Sequence, residues 1–299
     1  MALSTYILIP AHNRKTTTLR CLTILRELGV LGQYSVVLVD DGSTDGTADA
    51  VYQTFPEVQV LIGNGHLWWT GAIEMAMRYA YSEGAEYLIW FNDDCRVEID
   101  IFSKLVSLCS AHSKSIVGCQ GYNAKQTRQV VFGGKRKTWK GYRWLPIPEG
   151  TIHQCDLLSG NLVCIPRSVV DRIGYPDTAK TPHYGGDALY LIRAQNAGFQ
   201  LFIDARYSVY DTAVRTSQLY PEHWLLAEGS ALKLLELVIT PQSGLSWRIW
   251  FSINWEAYNC WGLIMFLKKY LSVFLVTMLR FLPFSLRKNL HINISTSST

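Results

Sequence analysis

A chain of 299 residues, 48% of them hydrophobic and 17% charged, has enough apolar mass for a sizeable buried core, which excludes a disordered chain outside the final Ser/Thr-rich residues. The net charge of +4 does not mark a nucleic-acid binder, because the excess lies in one apolar stretch: Trp247 to Lys288 holds Arg248, Lys268, Lys269, Arg280, Arg287 and Lys288 against Glu256 alone. Seven cysteines form no CxxC pair and no Cys/His cluster, so they read as reduced core residues of a cytoplasmic protein rather than a disulfide framework or zinc site.

Tyr6-Ile7-Leu8-Ile9 opens the apolar pattern as a strand, and no basic segment followed by a long apolar run precedes it, so a secretory signal is not expected. From Thr18, the residues Leu19, Leu22, Leu25 and Leu28 recur at helical spacing, and Val36-Val37-Leu38-Val39 reads as a second strand. Thr44 or Asp45 is placed to cap a helix carrying Ala48, Val51 and Phe55, ahead of a strand at Val58 to Ile62. Another helix, Gly71 to Ser82, aligns Ile73, Ala76 and Ala80 and leads to the strand Tyr87-Leu88-Ile89-Trp90-Phe91. Strands alternating with helices in this way predict an α/β fold built on one Rossmann-like, mostly parallel sheet flanked by helices. The aromatic, basic stretch Val130 to Leu145, with Gly133-Gly134 and Lys140-Gly141, predicts a hairpin beside the site.

Two of the strands run into acidic loops, Asp40-Asp41-Gly42-Ser43 and Asn92-Asp93-Asp94. Ligands of open α/β sheets sit outside the carboxyl ends of the strands, so paired acidic loops there point to a metal and phosphate site. Each loop also reads as a plain polar turn, and Asp45 as a helix cap. No G-x-G-x-x-G follows the first strand, which counts against a dinucleotide oxidoreductase. Pro10-Ala11-His12-Asn13 stands where a nucleotidyltransferase would carry a glycine-rich loop with Arg or Lys.

These motifs, taken in order, resemble the family 2 glycosyltransferases of the GT-A fold, in particular the rhamnosyltransferase-like bacterial members. The resemblance runs from Tyr6 to about Asp211 through Ile9 to Asn13, Val39 to Thr47, Gly63-Asn64-Gly65 to Gly71, Asn92-Asp93-Asp94, Ser159-Gly160-Asn161 and Tyr184-Gly185-Gly186-Asp187. It implies a GT-A catalytic domain over 1–225, with a nucleotide-binding half to about 120 and an acceptor half after it. Residues 226–299 fall outside it and read as a C-terminal amphipathic helical region. It further implies that Pro10, Ala11, Asn13, Asp40, Asp41, Asn64, Gly65 and Asp93 contact a nucleotide diphosphate sugar, with Asp41 accepting from the base and Asp40 positioning the nucleoside. Asp94 is the implied ligand of Mg²⁺ or Mn²⁺, and Asn92 departs from the strict DxD pattern.

Breaking the bond between an anomeric carbon and a phosphate builds negative charge on the leaving diphosphate, which a hard divalent cation neutralises using one or two carboxylates and the phosphates themselves. The acceptor hydroxyl needs a base as it attacks. By resemblance this is Asp187, in a chain with Gly186-Asp187 where many members have Glu-Asp; His183 is the alternative base, and Asp187 reads equally as an N-cap. The activity implied is inverting transfer of a hexosyl or deoxyhexosyl group to a cell-surface glycan or lipid-linked acceptor in polysaccharide biosynthesis; a binding protein of the same fold that has lost catalysis is the alternative. Trp68 or Trp69 is expected near the donor, while Trp139 and Trp144 read as half-buried core; Lys135-Arg136-Lys137 reads as a solvated hairpin face before a contact with diphosphate or an anionic acceptor, and Gly160-Asn161 by resemblance as lining the acceptor side, or else as a tight turn. In the tail, Lys268-Lys269 and Arg280 break the apolar runs below the ~20 residues of a spanning helix. Two readings stay open there: a peripheral contact with the inner face of the membrane, or a helix packed on the core or a sister subunit.

Overall fold

A computed structural model of the protein describes residues 4–112, 114–212 and 224–288. The chain divides into two compact units, residues 1–178 with 186–213 and residues 179–185 with 214–299.

In the first unit, β1 (Thr5–Ala11), α1 (Lys15–Glu27), β2 (Ser35–Asp40), α2 (Thr47–Thr54), β3 (Gln59–Ile62), α3 (Trp68–Ser82) and β4 (Tyr87–Phe91) follow one another. β1 pairs in parallel with both β2 and β4, and β2 with β3, as the alternation of strands and helices predicts. Ile7 to Ile9 of β1, Val36 to Val39 of β2 and Leu88 to Phe91 of β4 are apolar and buried at every position because both faces of these inner strands are covered, whereas β3 at the edge has exposed Gln59 and Ile62. Ile7, Ile9, Leu38, Ile89 and Phe91 point into one core with Leu22 and Leu25 of α1 and Val51 of α2. On the other face Trp90 meets Trp69 of α3 edge to face at 5.4 Å and donates its indole N–H to the Met77 sulfur at 3.3 Å. Truncating a fully buried aromatic of this kind to alanine costs about 3–5 kcal/mol.

The chain continues through β5 (Cys95–Val97), α4 (Ile101–Ala111), β6 (Ser115–Asn123), β7 (Gln126–Phe132), β8 (Gly134–Thr138), β9 (Gly141–Trp144), β10 (Ile152–Cys155), β11 (Leu157–Leu158), β12 (Leu162–Pro166), α5 (Arg167–Ile173), α6 (Gly186–Asn196) and β13 (Gln200–Asp211). Across the main sheet the order is β10-β13-β6-β12-β4-β1-β2-β3. β12 runs antiparallel to both of its neighbours, β4 and β6. Because of this reversal the loop entering β12 lies beside the loop leaving β4.

Local signals shifted at several points. Val130 to Leu145 is not one hairpin: β7 pairs with β6, while the hairpin proper is β8–β9, joined by β11 in a separate small sheet. α3 starts at Trp68, ahead of the expected Gly71. α2 has Gly46 at its N-cap, and Asp45 instead accepts from the Thr47 and Lys15 backbone N–H groups. Trp139 and Trp144 are exposed rather than half-buried. Of the seven cysteines, all free, Cys260 is exposed and not a core residue.

The second unit contains α7 (Lys233–Ile239), α8 (Trp247–Tyr258) and α9 (Cys260–Leu279) around Leu225, Leu234, Leu245, Val273 and Val276. α8 and α9 form a hairpin hinged at Asn259, whose φ of 50° puts it in the left-handed region. Gly262 makes the hairpin close, since a Cβ there would collide with the Asn254 backbone carbonyl. The Lys268-Lys269 pair interrupts the apolar composition but not the helix: α9 runs 20 residues and is long and apolar enough, by length and composition, to cross a membrane.

Candidate active site

Three loops leave the carboxyl ends of β1, β2 and β3 in register, with Ala11 opposite Asp40 and Asp40 opposite Ile62. The ladder continues past the strands, Asp41 N–H donating to the Ala11 carbonyl at 2.9 Å and Gly63 N–H to the Asp40 carbonyl at 2.8 Å. Asp41 then staples the third loop: one carboxylate oxygen accepts from Gly65 N–H at 2.8 Å and the other from Trp68 N–H at 2.9 Å. Asp40 accepts from Ser43 N–H at 3.0 Å. Gly42, at φ 64°, allows this closeness, because a Cβ there would stand 2.8 Å from the Gly65 nitrogen. A carboxylate oxygen has a second lone pair, so the base contact expected of Asp41 would be shared with these amides.

The first loop is fastened to the second in the same way. Asn13 N–H donates to the Ser43 hydroxyl at 2.7 Å, and its side-chain oxygen accepts from Thr44 N–H at 2.8 Å. His12 Nδ1 lies 2.6 Å from the Asp41 carbonyl, which can only accept, so the network places the ring proton on Nδ1 and leaves Nε2 to accept from the Asn13 amide at 3.0 Å. Asn64 turns its own loop, accepting from His66 N–H at 2.9 Å. Pro10, Ala11, Asn13, Asp40, Asp41, Asn64 and Gly65 are thereby gathered at one edge of the sheet.

Asp93 and Asp94 follow β4, only 3% and 6% exposed. Arg14, at the start of α1, stands between them with Nη2 at 3.1 Å from Asp93 Oδ1 and 3.0 Å from Asp94 Oδ2. Thr18 donates to Asp93 at 2.8 Å, and Thr212 donates its N–H and hydroxyl to the Asp94 carbonyl, both at 2.9 Å. Burial pushes the Asp93 carboxyl up to about 6, with Arg14 and Thr18 pulling it back. Asn92 turns the other way: its side-chain oxygen accepts from the Trp69 indole at 2.9 Å, which explains how a position outside strict DxD still shapes the loop.

The pair fits a divalent cation. Oδ1 of Asp94 is buried without a hydrogen-bond partner, and Oδ1 of Asp93 has only its ion pair with Arg14. Among the described residues no three His, Cys, Asp or Glu side chains cluster as a complete cage, so an ion here would complete its shell with phosphate and water. Sequence reasoning missed Arg14, a cation already resident between the carboxylates. Arg14→Met is expected to lower stability by about 1–3 kcal/mol in chelator, a partly exposed version of breaking a buried pair, and Mn²⁺ is expected to recover more of it than in the parent. Thermal melts with and without Mn²⁺ check this; an unchanged melt in chelator would show that Arg14 does not neutralise the pair.

Asp187 sits in the first turn of α6 rather than at its N-cap. One of its oxygens accepts from Gly160 N–H at 2.9 Å and the other from Ala188 N–H at 2.8 Å. Gly160 leaves no room for a side chain, since a Cβ would lie 2.6 Å from that of Asp187 and 3.1 Å from the Trp69 ring. The next carbonyl, Asn161, accepts from Asn92 N–H at 2.9 Å. Gly160-Asn161 therefore ties Asp187 and the Asp93-Asp94 loop to one point. Lys135, read from sequence as part of a solvated face, is half-buried over the Trp144 ring at 4.9 Å. Burial lowers its pKa, and the Asp187 charge acts against that lowering. His183 belongs to the other compact unit, where it stands edge-on to Tyr184 at 4.5 Å.

Known proteins share this fold. The model of the family described as Glycosyl transferase family 2 matches residues 6–168, more than half of the chain. Among solved structures, GalNAc-T7 with UDP, GalNAc and Mn²⁺ superposes with a TM-score of 0.59 at 14% identity, covering 75% of this chain but only 47% of its own. Staphylococcus aureus TarS 1-349 with UDP gives 0.53 at 14% identity, covering 85% and 71%. The mannosyltransferase PcManGT from Pyrobaculum calidifontis, with GDP-Man and Mn²⁺, gives 0.54 at 15% identity, covering 90% and 74%. At these identities the likeness is one of fold. No curated protein matches the chain by sequence.

Proposed function

The chain belongs to glycosyl transferase family 2 and has the GT-A fold, and on that premise we propose that it moves a sugar, with inversion, from a nucleotide diphosphate donor to a hydroxyl of a glycan or lipid-linked acceptor. The observation that carries the reading is the Gly160-Asn161 link, which holds a carboxylate on a helix start beside two buried carboxylates on a strand end. In this reading the loops after β1, β2 and β3 receive the nucleoside, with Asp40, Asp41 and Asn13 fixing their shape. Residues to about 120 serve the donor and those from about 121 to 225 the acceptor.

Asp187 takes the proton of the acceptor hydroxyl as its oxygen bonds to the anomeric carbon, while the carbon–oxygen bond to the diphosphate breaks on the opposite face. Gly160 N–H and Ala188 N–H hold Asp187 in place, each donating to one of its two oxygens. Mg²⁺ or Mn²⁺ held by Asp94, with Asp93 beside it, would supply the positive charge that stabilises the departing diphosphate. Arg14 adds a fixed cation at the same place.

A screen of nucleotide sugars by thermal unfolding tests the donor half. A matching donor at about 100 times its Kd, with Mn²⁺, is expected to add about 2.7 kcal/mol, a rise of roughly 5–10 °C for a unit of this size, and EDTA should remove most of it. Release of free nucleotide from the same donor on adding acceptor separates an enzyme from a binding protein. Protection indifferent to both nucleotide and metal would overturn the reading.

A further inference from the structure

α9 turns its most apolar side outward. Ile264, Leu267, Leu271, Phe274, Leu275 and Met278 recur at helical spacing and are all exposed, Leu267 at 58% and Leu271 at 59%, along roughly 30 Å of a 20-residue helix. The inward side is made of smaller or polar groups, Gly262, Val273 and Thr277 being buried and Tyr270 donating to the Leu245 carbonyl at 2.8 Å. A helix with this inversion has an apolar stripe larger than a solvent-facing surface ordinarily carries. α8 adds Trp247, Phe251 and Trp255, exposed at successive i, i+4 positions.

Charge decides what covers the stripe. α9 contains no acidic residue, and Glu256 is the only one from Trp247 to Lys288. A second copy would bring Lys268 to the rim of the seam with no carboxylate to meet it, whereas an anionic surface complements it. Lys268 is exposed on the flank of the stripe and Arg248 on the flank of the α8 row. Two other basic groups of the region are spent internally: Arg280 donates to the Glu228 and Gly229 carbonyls at 3.2 and 3.1 Å, and Lys269 lies 3.6 Å over the Trp250 ring. The apolar exposure also continues beyond the end of α9 into Phe281 and Phe284. Spanning fits less well than lying flat, because it would put Lys268 and Lys269 at mid-bilayer, where each charge is costly.

We infer that the α8–α9 hairpin is a monotopic membrane anchor: α9 lies in the plane of an anionic bilayer with the Leu267–Leu271 stripe among the acyl chains, and Lys268, Arg248 and the exposed tryptophans at the headgroups. This stands apart from the catalytic reading, since it concerns the second unit alone. The test is sedimentation of the full chain with vesicles of equal parts phosphatidylcholine and phosphatidylglycerol, alongside quenching of tryptophan emission by lipids brominated at defined depths.

The intact protein is expected to bind at low salt and to be quenched most by shallow bromines. Leu267→Glu/Leu271→Glu should weaken binding on the order of a hundredfold or more, Lys268→Glu roughly tenfold, and high salt severalfold. Both changes fall on exposed positions, so circular dichroism should stay that of the parent; should the double variant not fold, the intact-protein measurements still decide. Absence of vesicle binding at low salt, deepest quenching at the bilayer centre, or a dimer in sedimentation velocity that Leu267→Glu/Leu271→Glu dissolves without vesicles being involved, would each overturn the inference.

Discussion

Asp187→Asn is expected to reduce turnover on the order of a hundredfold or more with little change in donor affinity. The amide keeps the size of the carboxylate but cannot take a proton. It also has one acceptor oxygen where Asp187 offers two, one to Gly160 N–H and one to Ala188 N–H, so one of these amides loses its partner. That structural loss is about 1 kcal/mol of stability, whereas a hundredfold in rate is about 2.7 kcal/mol of barrier. The two effects separate when kcat is measured well below the melting temperature. A variant that melts a little earlier yet turns over like the parent would make Asp187 a support for the Gly160 turn and nothing more. Loss of donor affinity in proportion to rate would make it a donor contact.

Asp94→Ala is expected to abolish measurable turnover, a loss of at least about a thousandfold or 4 kcal/mol of barrier, together with most of the metal-dependent part of nucleotide binding. The fold should survive. What ties this residue into the sheet is its backbone carbonyl, which accepts twice from Thr212, and β5 begins directly after it; neither depends on the side chain. Removing the carboxylate also leaves Arg14 with Asp93 as its partner instead of two charges to share, so no buried ion is stranded. Donor titrations with Mn²⁺ and with EDTA check this: the parent should show two different affinities and the variant one. Parent-like activity of Asp94→Ala in either condition would sink the assignment.

The inner strands β2 and β4 are legible because both of their faces are covered, so Val36 to Val39 and Tyr87 to Phe91 are apolar at every position, the first ending at Asp40 and the second one residue short of Asp93. The helices on them announce themselves by leucine or alanine spacing. What periodicity does not carry is which loops meet. Arg14 reads as one more solvated basic residue at a helix start, and its meaning depends on a contact with Asp94 across 80 positions. Lys135 hides within a Lys-Arg-Lys run for the same reason: it is half-buried only once β8 pairs with β9, opposite Trp144, and with β11. Nor does the apolar run of β12 state its direction, although that direction brings Gly160-Asn161 to Asn92. The tail was read from composition as interrupted by Lys268-Lys269; backbone hydrogen bonding runs straight through a lysine, and the helix did too.

The reversed strand has a consequence for the order in which the protein comes into being. β4 and β6 are consecutive long strands of the sheet in sequence, yet β12 lies between them, so the sheet cannot close until Pro166 has been synthesised. That is roughly 75 residues after β4 ends, an interval on the ribosome of about 4–15 s at ~5–20 residues per second. Through that interval the parallel half β1 to β4 has only local pairings to rely on, with one long edge of β4 open, and long-range pairing of this sort is the slow step in folding. The Asp93-Asp94 loop is therefore complete in covalent terms well before Asn161 arrives to fix it. Fixing of the Asp93-Asp94 loop by Asn161 and insertion of β12 become the same late event, and a half-made chain exposes an unpaired strand edge.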